Sequence, residues 1–313
     1  MKILITGGAG YIGTELTHLL AENPLVSEIV IYDNLSRKNY SLFMANRIYG
    51  AANIRFVKGD ILNSRLLNKA LKEVDVVYHL AAKVSTPFAN EDPHSLEQVN
   101  HWGTAELSYA IEQSQAKKVF YLSSTSVYGP STEKADELTL PNPQTYYGTS
   151  KYNGEMMLNR LRDSVELYVL RCGNVYGYSP SMRFDAVINR FMFEAHYNNR
   201  ITIHGTGRQH RPFIHIKSVA NVLNDLLNST IDGGTYNLVG KNLSVLEIGG
   251  LLKEIYTEME TIYIQQDIML RNLEVDTQTL LKARGLLHDR DIAKDLLEFK
   301  EHFAFNPLVG VSA

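Results

Sequence analysis

The chain has 313 residues, enough to bury the core of one large domain or of two small ones. Its formal net charge of −3 lacks the basic excess of a nucleic-acid-binding surface, and its single Cys172 excludes an internal disulfide framework. No apolar run approaches the roughly 20 residues of a membrane span, so we expect a soluble, cytoplasmic protein without membrane or nucleic-acid partners.

Short β-rich runs alternate with longer stretches that have the pattern of helices. Most of these runs are almost continuously apolar, as expected for strands that helices cover on both faces. The intervals between them are long enough for crossover helices, which indicates a parallel sheet and a doubly wound α/β fold. The predicted strands are KILIT (2–6), EIVIYD (28–33), IRFVKGD (54–60), DVVYHLA (75–81), KKVFYLSS (117–124) and ELYVLR (166–171).

The first strand runs directly into a glycine-rich turn, GGAGYIG, which is followed by the helical stretch ELTHLLAE. Glycines at Gly7, Gly10 and Gly13 allow a sharp turn and a close approach of backbone N–H groups to a pyrophosphate. The start of the helix adds unpaired N–H groups and the positive end of its dipole. This turn is therefore predicted to bind a dinucleotide.

An acidic residue for the adenosine ribose is also present. Asp33 ends the second strand, 20 positions after Gly13. A carboxylate there accepts hydrogen bonds from both ribose hydroxyls and repels a 2′-phosphate, which favours NAD over NADP. Arg37 leaves NADP open, because its side chain could reach a 2′-phosphate.

The ends of the third and fourth strands offer further candidate contacts. Asp60 and Ile61 end the third strand, where an adenine is expected. The segment HLAA (79–82) ends the fourth with small residues that would let a cofactor approach the backbone. Packing at the edge of the sheet explains these residues equally well.

Tyr147 and Lys151 are four residues apart in TYYGTSK, so on a helix they share one face. A nearby ammonium and a positively charged nicotinamide would stabilise the phenolate, which could then take a proton from an alcohol as hydride leaves the carbon. Ser124, at the end of the fifth strand, is a third candidate for this site. Tyr146 competes with Tyr147 but lies off the face of Lys151.

After about Asn174 the regular alternation loosens. We predict helices over 186–197, 218–227, 246–258, 276–283 and 291–303, with strands at 201–205, 236–240 and 261–265. Residues 1–172 are predicted to form a dinucleotide-binding domain to which part of 212–240 returns. Residues 173–313 would mainly form a smaller, interleaved substrate domain. The histidines lack metal-ligand spacing, so no metal site is predicted.

Taken together, these segments resemble the extended short-chain dehydrogenase/reductase family, in particular its NAD-dependent sugar epimerase/dehydratase group. The matching segments are GGAGYIG, Asp33, GDI, HLAA, Asn100 in VNHWGT, LSSTSVYG, YGTSK, LRCGNVYG and GTGRQHRPFIHI. The resemblance covers essentially the whole chain. It implies a Rossmann fold, NAD as cofactor, a nucleotide-sugar substrate and a homodimer.

The same resemblance implies roles for individual residues. Tyr147 would be the catalytic acid/base, Lys151 its modulator, and Ser124 a group that polarises the substrate hydroxyl. Asn174, Arg211 and Arg271 would bind the substrate's diphosphate, Arg271 in place of an R-P-G-D-like segment that the chain lacks. The cofactor-binding residues would be Gly7, Gly10, Tyr11, Ile12, Gly13, Asp33, Asn34, Asp60, Ile61, Leu80, Ala81, Ala82, Asn100, Tyr147 and Lys151.

One departure from the dehydratases of the group reduces the number of reactions that we expect the protein to catalyse. Those enzymes usually carry Thr-Asp-Glu before VYG, and here the three positions are Ser124, Thr125 and Ser126. Without the acidic pair we expect an epimerase, most simply a UDP-hexose 4-epimerase. The alternatives are a reductase, dehydrogenase or decarboxylase of the same fold and, from another class, a non-catalytic dinucleotide-binding regulator.

Overall fold

The computed structural model describes residues 1–44, 47–84, 92–264 and 272–306. Its centre is a seven-stranded sheet in the order β10-β6-β5-β4-β1-β2-β3, in which every pairing is parallel. The doubly wound α/β fold predicted from the sequence is confirmed. The strands of this sheet are β1 (Lys2–Thr6), β2 (Glu28–Asp33), β3 (Asn53–Lys58), β4 (Val76–His79), β5 (Lys118–Ser124), β6 (Glu166–Cys172) and β10 (Gly234–Leu238).

Helices cover both faces of this sheet. The α-helices in the described residues, including those that belong to the second half of the chain and do not cover this sheet, are α1 (Tyr11–Glu22), α2 (Ser41–Met44), α3 (Ser64–Ala70), α4 (Pro93–Leu96), α5 (Gly103–Glu112), α6 (Tyr146–Asn159), α7 (Val187–Asn198), α8 (Ile216–Leu226), α9 (Val245–Ile255), α10 (Leu280–Ala283) and α11 (Ile292–Glu301).

The two faces of the sheet have separate cores. On one face, α1 and α8 contribute buried leucines and valines such as Leu16 and Leu223. On the other, α3, α5 and α6 contribute Leu67, Leu107 and Leu158. This burial on both faces explains why the strands are almost continuously apolar in sequence.

A smaller group of elements is built mostly from the second half of the chain. One sheet has the order β11-β9-β7, with β7 at Asn174–Tyr176, β9 at His210–His215 and β11 at Lys241–Ser244. Two parallel strands, β8 (Arg200–His204) and β12 (Glu260–Ile264), lie beside α7, α9 and α11 around their own apolar core. Strand β10 belongs to the main sheet, and helix α8 packs against that sheet, although both come from the second half of the chain. The two halves of the chain are therefore interleaved.

The order of the main sheet places a crevice beside β1. Strand β2 leaves β1 toward one edge of the sheet, and β4 pairs with β1 on the other side. In doubly wound sheets, ligands bind at this switch point, beyond the carboxyl ends of the strands.

One predicted helix begins later than expected, and one helical turn was not predicted from the sequence. The helix predicted over 276–283 begins only at Leu280, because the carboxylate of Asp276 accepts the N–H of Gln278 at 2.9 Å and Thr279 caps the helix. Residues Glu97–Trp102 form a π-helical turn between α4 and α5. Such turns often occur at functional sites.

Two helical glycines should respond oppositely to alanine. In α1, a Cβ on Gly13 would lie 2.6 Å from the carbonyl oxygen of Gly7, whereas a Cβ on Gly250 in α9 would meet no atom of the described part of the chain within 4 Å. We expect Gly250→Ala to stabilise the coenzyme-free protein by about 0.5–1 kcal/mol, the usual helix-propensity gain. We expect Gly13→Ala to destabilise it by about 1–3 kcal/mol through overpacking. Urea unfolding measures both, and equal stabilisation by the two changes would contradict this account.

Candidate active site

The glycine turn has the geometry of a phosphate site. Gly7 has a φ of +72°, and its N–H donates to the carbonyl oxygen of Tyr32 at 2.8 Å. Helix α1 begins after Gly10 without a side-chain cap, which leaves its first N–H groups to other partners. Within the described residues, the one atom near a Cβ on Gly10 would be the carbonyl oxygen of Gly7 at 3.1 Å, so this side of the turn faces open space. The residues present therefore fit a dinucleotide.

A cavity of about 870 Å³ extends from this turn across the carboxyl edge of the sheet. Both halves of the chain line it. The predicted site residues that line it are Gly7, Gly10, Tyr11, Ile12, Gly13, Asp33, Asn34, Ile61, Leu80, Ala81, Ala82, Ser124, Tyr147, Lys151, Asn174 and Arg211.

Asp33 is tied into the glycine turn by its own carboxylate. One oxygen accepts the N–H of Ala9 at 3.1 Å, and the other accepts the N–H of Leu35 at 2.8 Å. Burial raises the pKa of Asp33, while these two bonds and the charge of Arg37 oppose the increase. The carboxylate thus stands at the end of β2 beside the turn, where a ribose can reach it.

Asp60 and Asn100, two predicted cofactor residues, are not among the residues that line the cavity. The Asp60 carboxylate accepts the side-chain N–H of Asn34 at 2.9 Å and so supports a residue that does line it. Asn100 is fully buried in the π-helical turn, and its amide holds the backbone N–H and C=O of Lys83 at 2.8 and 2.9 Å. In this structure, Asn100 acts on the cavity through Lys83.

Tyr147 and Lys151 lie one turn apart on α6 and both face the cavity. Thr145 caps this helix, because its hydroxyl accepts the N–H of Gly148 at 2.9 Å. The Ser124 side chain hydrogen-bonds Tyr147, which brings together the three predicted catalytic residues. Tyr146 is 55% exposed, in keeping with its predicted position off the face of Lys151.

The ammonium of Lys151 is buried against an aromatic ring. It lies 4.3 Å from the ring centroid of Tyr121, and the lysine is 2% exposed. Burial lowers the pKa of Lys151 to about 7, against the opposing charge of Glu155. A cation–π contact compensates part of this loss of hydration.

The pKa of the Tyr147 phenol is determined by opposing effects. Burial raises its pKa, while the charge of Arg183, the hydrogen bond from Ser124 and the charge of Arg37 lower it. Burial dominates, so Tyr147 is a neutral phenol at pH 7 in the coenzyme-free protein. The prediction that Lys151 and a positively charged nicotinamide together stabilise the phenolate concerns the coenzyme complex and stays a prediction.

Several cavity residues were missed by sequence reasoning. Arg183, His204 and Arg190 line the cavity together with the predicted Asn174 and Arg211. They come from the segment after β7, from β8 and from α7, where the sequence shows no dinucleotide-like motif. The predicted Arg271 lies outside the described residues.

The described part of the chain contains no group of three or more His, Cys, Asp or Glu side chains that could hold a metal ion. Nor does it contain a helix long and apolar enough to cross a membrane.

The buried Lys151 should make stability depend on pH. Its pKa is about 7 in the folded protein and 10.5 in an ordinary setting, so between these values the unfolded chain binds more protons. The unfolding free energy contributed by Lys151 therefore rises with pH, by about 1.4 kcal/mol per pH unit. We expect coenzyme-free Lys151→Met to be more stable than the wild type at pH 6.5, and this advantage to shrink by pH 9.5. Denaturant unfolding at both pH values measures it.

Lys300 offers a matched control, because its ammonium lies 4.7 Å from the ring centroid of Tyr256 but is only partly buried. The stability difference between Lys300→Met and the wild type should stay constant over the same pH range. A constant difference for Lys151→Met as well would show that the Lys151 charge is not desolvated.

Comparison with known proteins identifies this arrangement. Residues 3–238 match the model of the NAD dependent epimerase/dehydratase family. A putative UDP-glucose 4-epimerase of Methanocaldococcus jannaschii is 35% identical over 272 residues, 83% of this chain and 85% of that protein. A dTDP-D-glucose 4,6-dehydratase of Dictyostelium discoideum is 29% identical over 255 residues, 76% of this chain and 58% of that protein.

Among solved structures, the UDP-glucuronic acid 4-epimerase of Bacillus cereus, in complex with UDP-glucuronic acid and NAD, superposes with a TM-score of 0.83. It is 26% identical, and the superposition covers 96% of this chain and 98% of that one. The cofactor is NAD, as the sequence predicted. The chain belongs to the NAD dependent epimerase/dehydratase family of nucleotide-sugar enzymes.

Proposed function

We propose that this protein is an NAD-dependent nucleotide-sugar 4-epimerase, most simply a UDP-hexose 4-epimerase. The observation that carries the proposal is the composition of the cavity wall beside Tyr147. Ser124, Thr125 and Ser126 line this wall with hydroxyls, at the positions where the family's dehydratases usually carry an acidic pair. Hydroxyls can orient a sugar for hydride transfer, but they are too weakly acidic and basic to eliminate water.

The carboxylates of the cavity support the same choice. Those among its described lining residues are Asp33 and Asp185. Asp33 is held by two backbone N–H groups, and Asp185 forms a bidentate ion pair with Arg183, at 3.0 and 2.6 Å. Neither comes from the segment beside Tyr147 that would have to supply the acid and base of a dehydration.

The proposed mechanism assigns one task to each catalytic side chain. With the positively charged nicotinamide of NAD beside it, the Tyr147 phenol would first release its own proton to solvent; as the phenolate it then takes the proton of the sugar's C4 hydroxyl and later returns it. Ser124, through its hydrogen bond to Tyr147, orients the same hydroxyl. Lys151 adds positive charge near the phenol whenever its ammonium is protonated, and its lowered pKa reduces the protonated fraction at neutral pH. NAD, held by the glycine turn and Asp33, would supply a nicotinamide able to take up and give back a hydride at C4, so the reaction would pass through a 4-keto sugar with no net oxidation or reduction.

Two residues of the cavity wall suit the nucleotide part of the substrate. They are Arg211 and Asn174, and a guanidinium binds a diphosphate bidentately. The solved relatives include enzymes in complex with UDP-glucose and with UDP-glucuronic acid, which makes UDP the first nucleotide to test. The homodimer and the cytoplasmic location stay predictions.

The direct test is turnover of a panel of nucleotide sugars by the purified protein with NAD. We expect interconversion of UDP-glucose and UDP-galactose, or of another C4-epimeric pair, without net formation of NADH. Separation of the products by chromatography measures conversion, and absorbance of the reduced nicotinamide measures any net redox change.

Three other outcomes would each sink the proposal in favour of a different reaction. A 4-keto-6-deoxy product from dTDP-glucose or UDP-glucose would indicate a dehydratase. Stoichiometric consumption or formation of NADH would indicate a reductase or a dehydrogenase. Failure to convert any nucleotide sugar while NAD binds normally would favour the regulatory alternative.

Adjacent tyrosines provide a matched pair for the acid/base assignment. We expect Tyr147→Phe to bind NAD normally and to lose about 10²–10⁴-fold in kcat, the usual contribution of general acid–base catalysis. Tyr146→Phe removes the neighbouring, exposed hydroxyl and should leave kcat unchanged. Steady-state kinetics with NAD titrations measures both, and a fully active Tyr147→Phe enzyme would refute the assignment.

A further inference from the structure

Two loops from opposite halves of the chain meet above the first turn of α1. The side-chain amide of Asn39 donates to the carbonyl oxygen of Ser181 at 3.3 Å. The hydroxyl of Thr14, in the first turn of α1, donates to the Ser181 hydroxyl at 2.8 Å. Ser181 therefore fixes the loop after β2 and the segment after β7 beside the glycine turn.

Each of these segments carries an arginine two residues from the junction. Arg37 precedes Asn39 by two residues, Arg183 follows Ser181 by two, and both side chains line the cavity. Arg183 is already paired with the Asp185 carboxylate, as a salt bridge of 2.6 Å. Arg37 is exposed over part of its side chain, while its charged end is removed from water inside the cavity.

Arg37 stands next to the glycine turn in the cavity. Asn39 and Ser181 hold its segment beside the first turn of α1, and Arg37 lines the same cavity as the glycine turn.

Charged groups on several sides act on Arg37. Removal from water and then repulsion by Arg183 lower the pKa of Arg37, while Asp185, Tyr147 and, least of all, Asp33 raise it.

The covalent structure of NAD shows which part of the coenzyme lies between Asp33 and Tyr147. Asp33 marks the adenosine ribose, and Tyr147 marks the nicotinamide, since hydride transfer occurs there. The diphosphate joins the two nucleosides and must lie between these ends. A 2′-phosphate, by contrast, would be attached to the ribose that Asp33 holds.

We infer that Arg37 is a ligand of the coenzyme's diphosphate and not the reader of a 2′-phosphate. The glycine turn offers backbone N–H groups from one wall, and Arg37 offers a planar fork from the loop after β2. Arg183, fixed by Asp185, repels the Arg37 guanidinium and limits how far it can move toward the substrate end. This role holds whichever sugar reaction follows.

The test compares binding of four probes to coenzyme-free protein: NAD, ADP-ribose, NADP and adenosine. For Arg37→Gln we expect a loss of about 10- to 100-fold in affinity for NAD and ADP-ribose alike, the range of a charge-assisted hydrogen bond. NADP should weaken by the same factor, so that its affinity ratio to NAD stays unchanged, and adenosine should be unaffected. Arg37→Lys should fall between, because it keeps the charge but not the fork. Calorimetry and competition binding measure these affinities.

Lys38→Gln is the matched control, since it removes one positive charge from the same loop at a side chain that does not line the cavity. It should leave all four affinities within about two-fold, as expected of a screened surface charge. Thermal unfolding of the coenzyme-free variants checks that each one is folded.

Three results would overturn the inference. Unchanged affinity of Arg37→Gln for ADP-ribose would exclude the diphosphate. A selective loss of NADP affinity would assign Arg37 to the 2′-phosphate. A change confined to the KM for a nucleotide sugar, with NAD binding intact, would assign it to the substrate.

Discussion

The catalytic half of this protein depends on a positive charge buried beneath its active site. Lys151 is almost completely enclosed, with its ammonium against the face of Tyr121. Burying a charge costs free energy unless other groups compensate, so the neighbouring elements must hold fixed positions. The Tyr121 hydroxyl donates to the backbone carbonyl of Lys151 at 3.2 Å, which ties α6 to β5 at the same residue that holds the charge.

A buried ion pair between Glu155 and Arg171 adds to this constraint on the position of α6. Glu155 lies one turn beyond Lys151 and accepts hydrogen bonds from Ser123 at 2.5 Å and from Arg171 at 3.2 and 2.8 Å. These partners come from β5 and β6, so α6 is attached to two adjacent strands through polar groups that are buried. Such a network is costly to disrupt, because any displacement leaves a desolvated charge without its partner. The alignment of Tyr147 with Ser124 follows from this attachment rather than from the helix alone.

Features of the site that depend on local geometry could be predicted from the sequence. Features that depend on contacts between residues far apart in the chain could not. GGAGYIG, Asp33 and the pair Tyr147 and Lys151 are readable because the turn, the strand end and the helical spacing are each short-range features. The contact between Lys151 and Tyr121, the hold of Asn100 on Lys83 and the junction at Ser181 join residues far apart in the chain. The desolvation of Tyr147 could not be predicted for the same reason: it depends on what the whole fold packs around the phenol, and a spacing pattern carries no information about that.

Hydrogen bonds between the two halves of the chain lie at the glycine turn and also at a second place along the cavity. At the glycine turn, Tyr11 donates its hydroxyl to the carbonyl oxygen of Gly177, and Thr14 and Asn39 both bond Ser181. A second set of backbone hydrogen bonds joins residues 131 and 135 to residues 272–276, next to Leu273 in the cavity wall. The bonds at the glycine turn enclose the coenzyme end, which suits chemistry in which the dinucleotide remains while the sugar exchanges. A reaction that returns its hydride within each turnover has that requirement, whereas a net oxidation or reduction needs the coenzyme to leave.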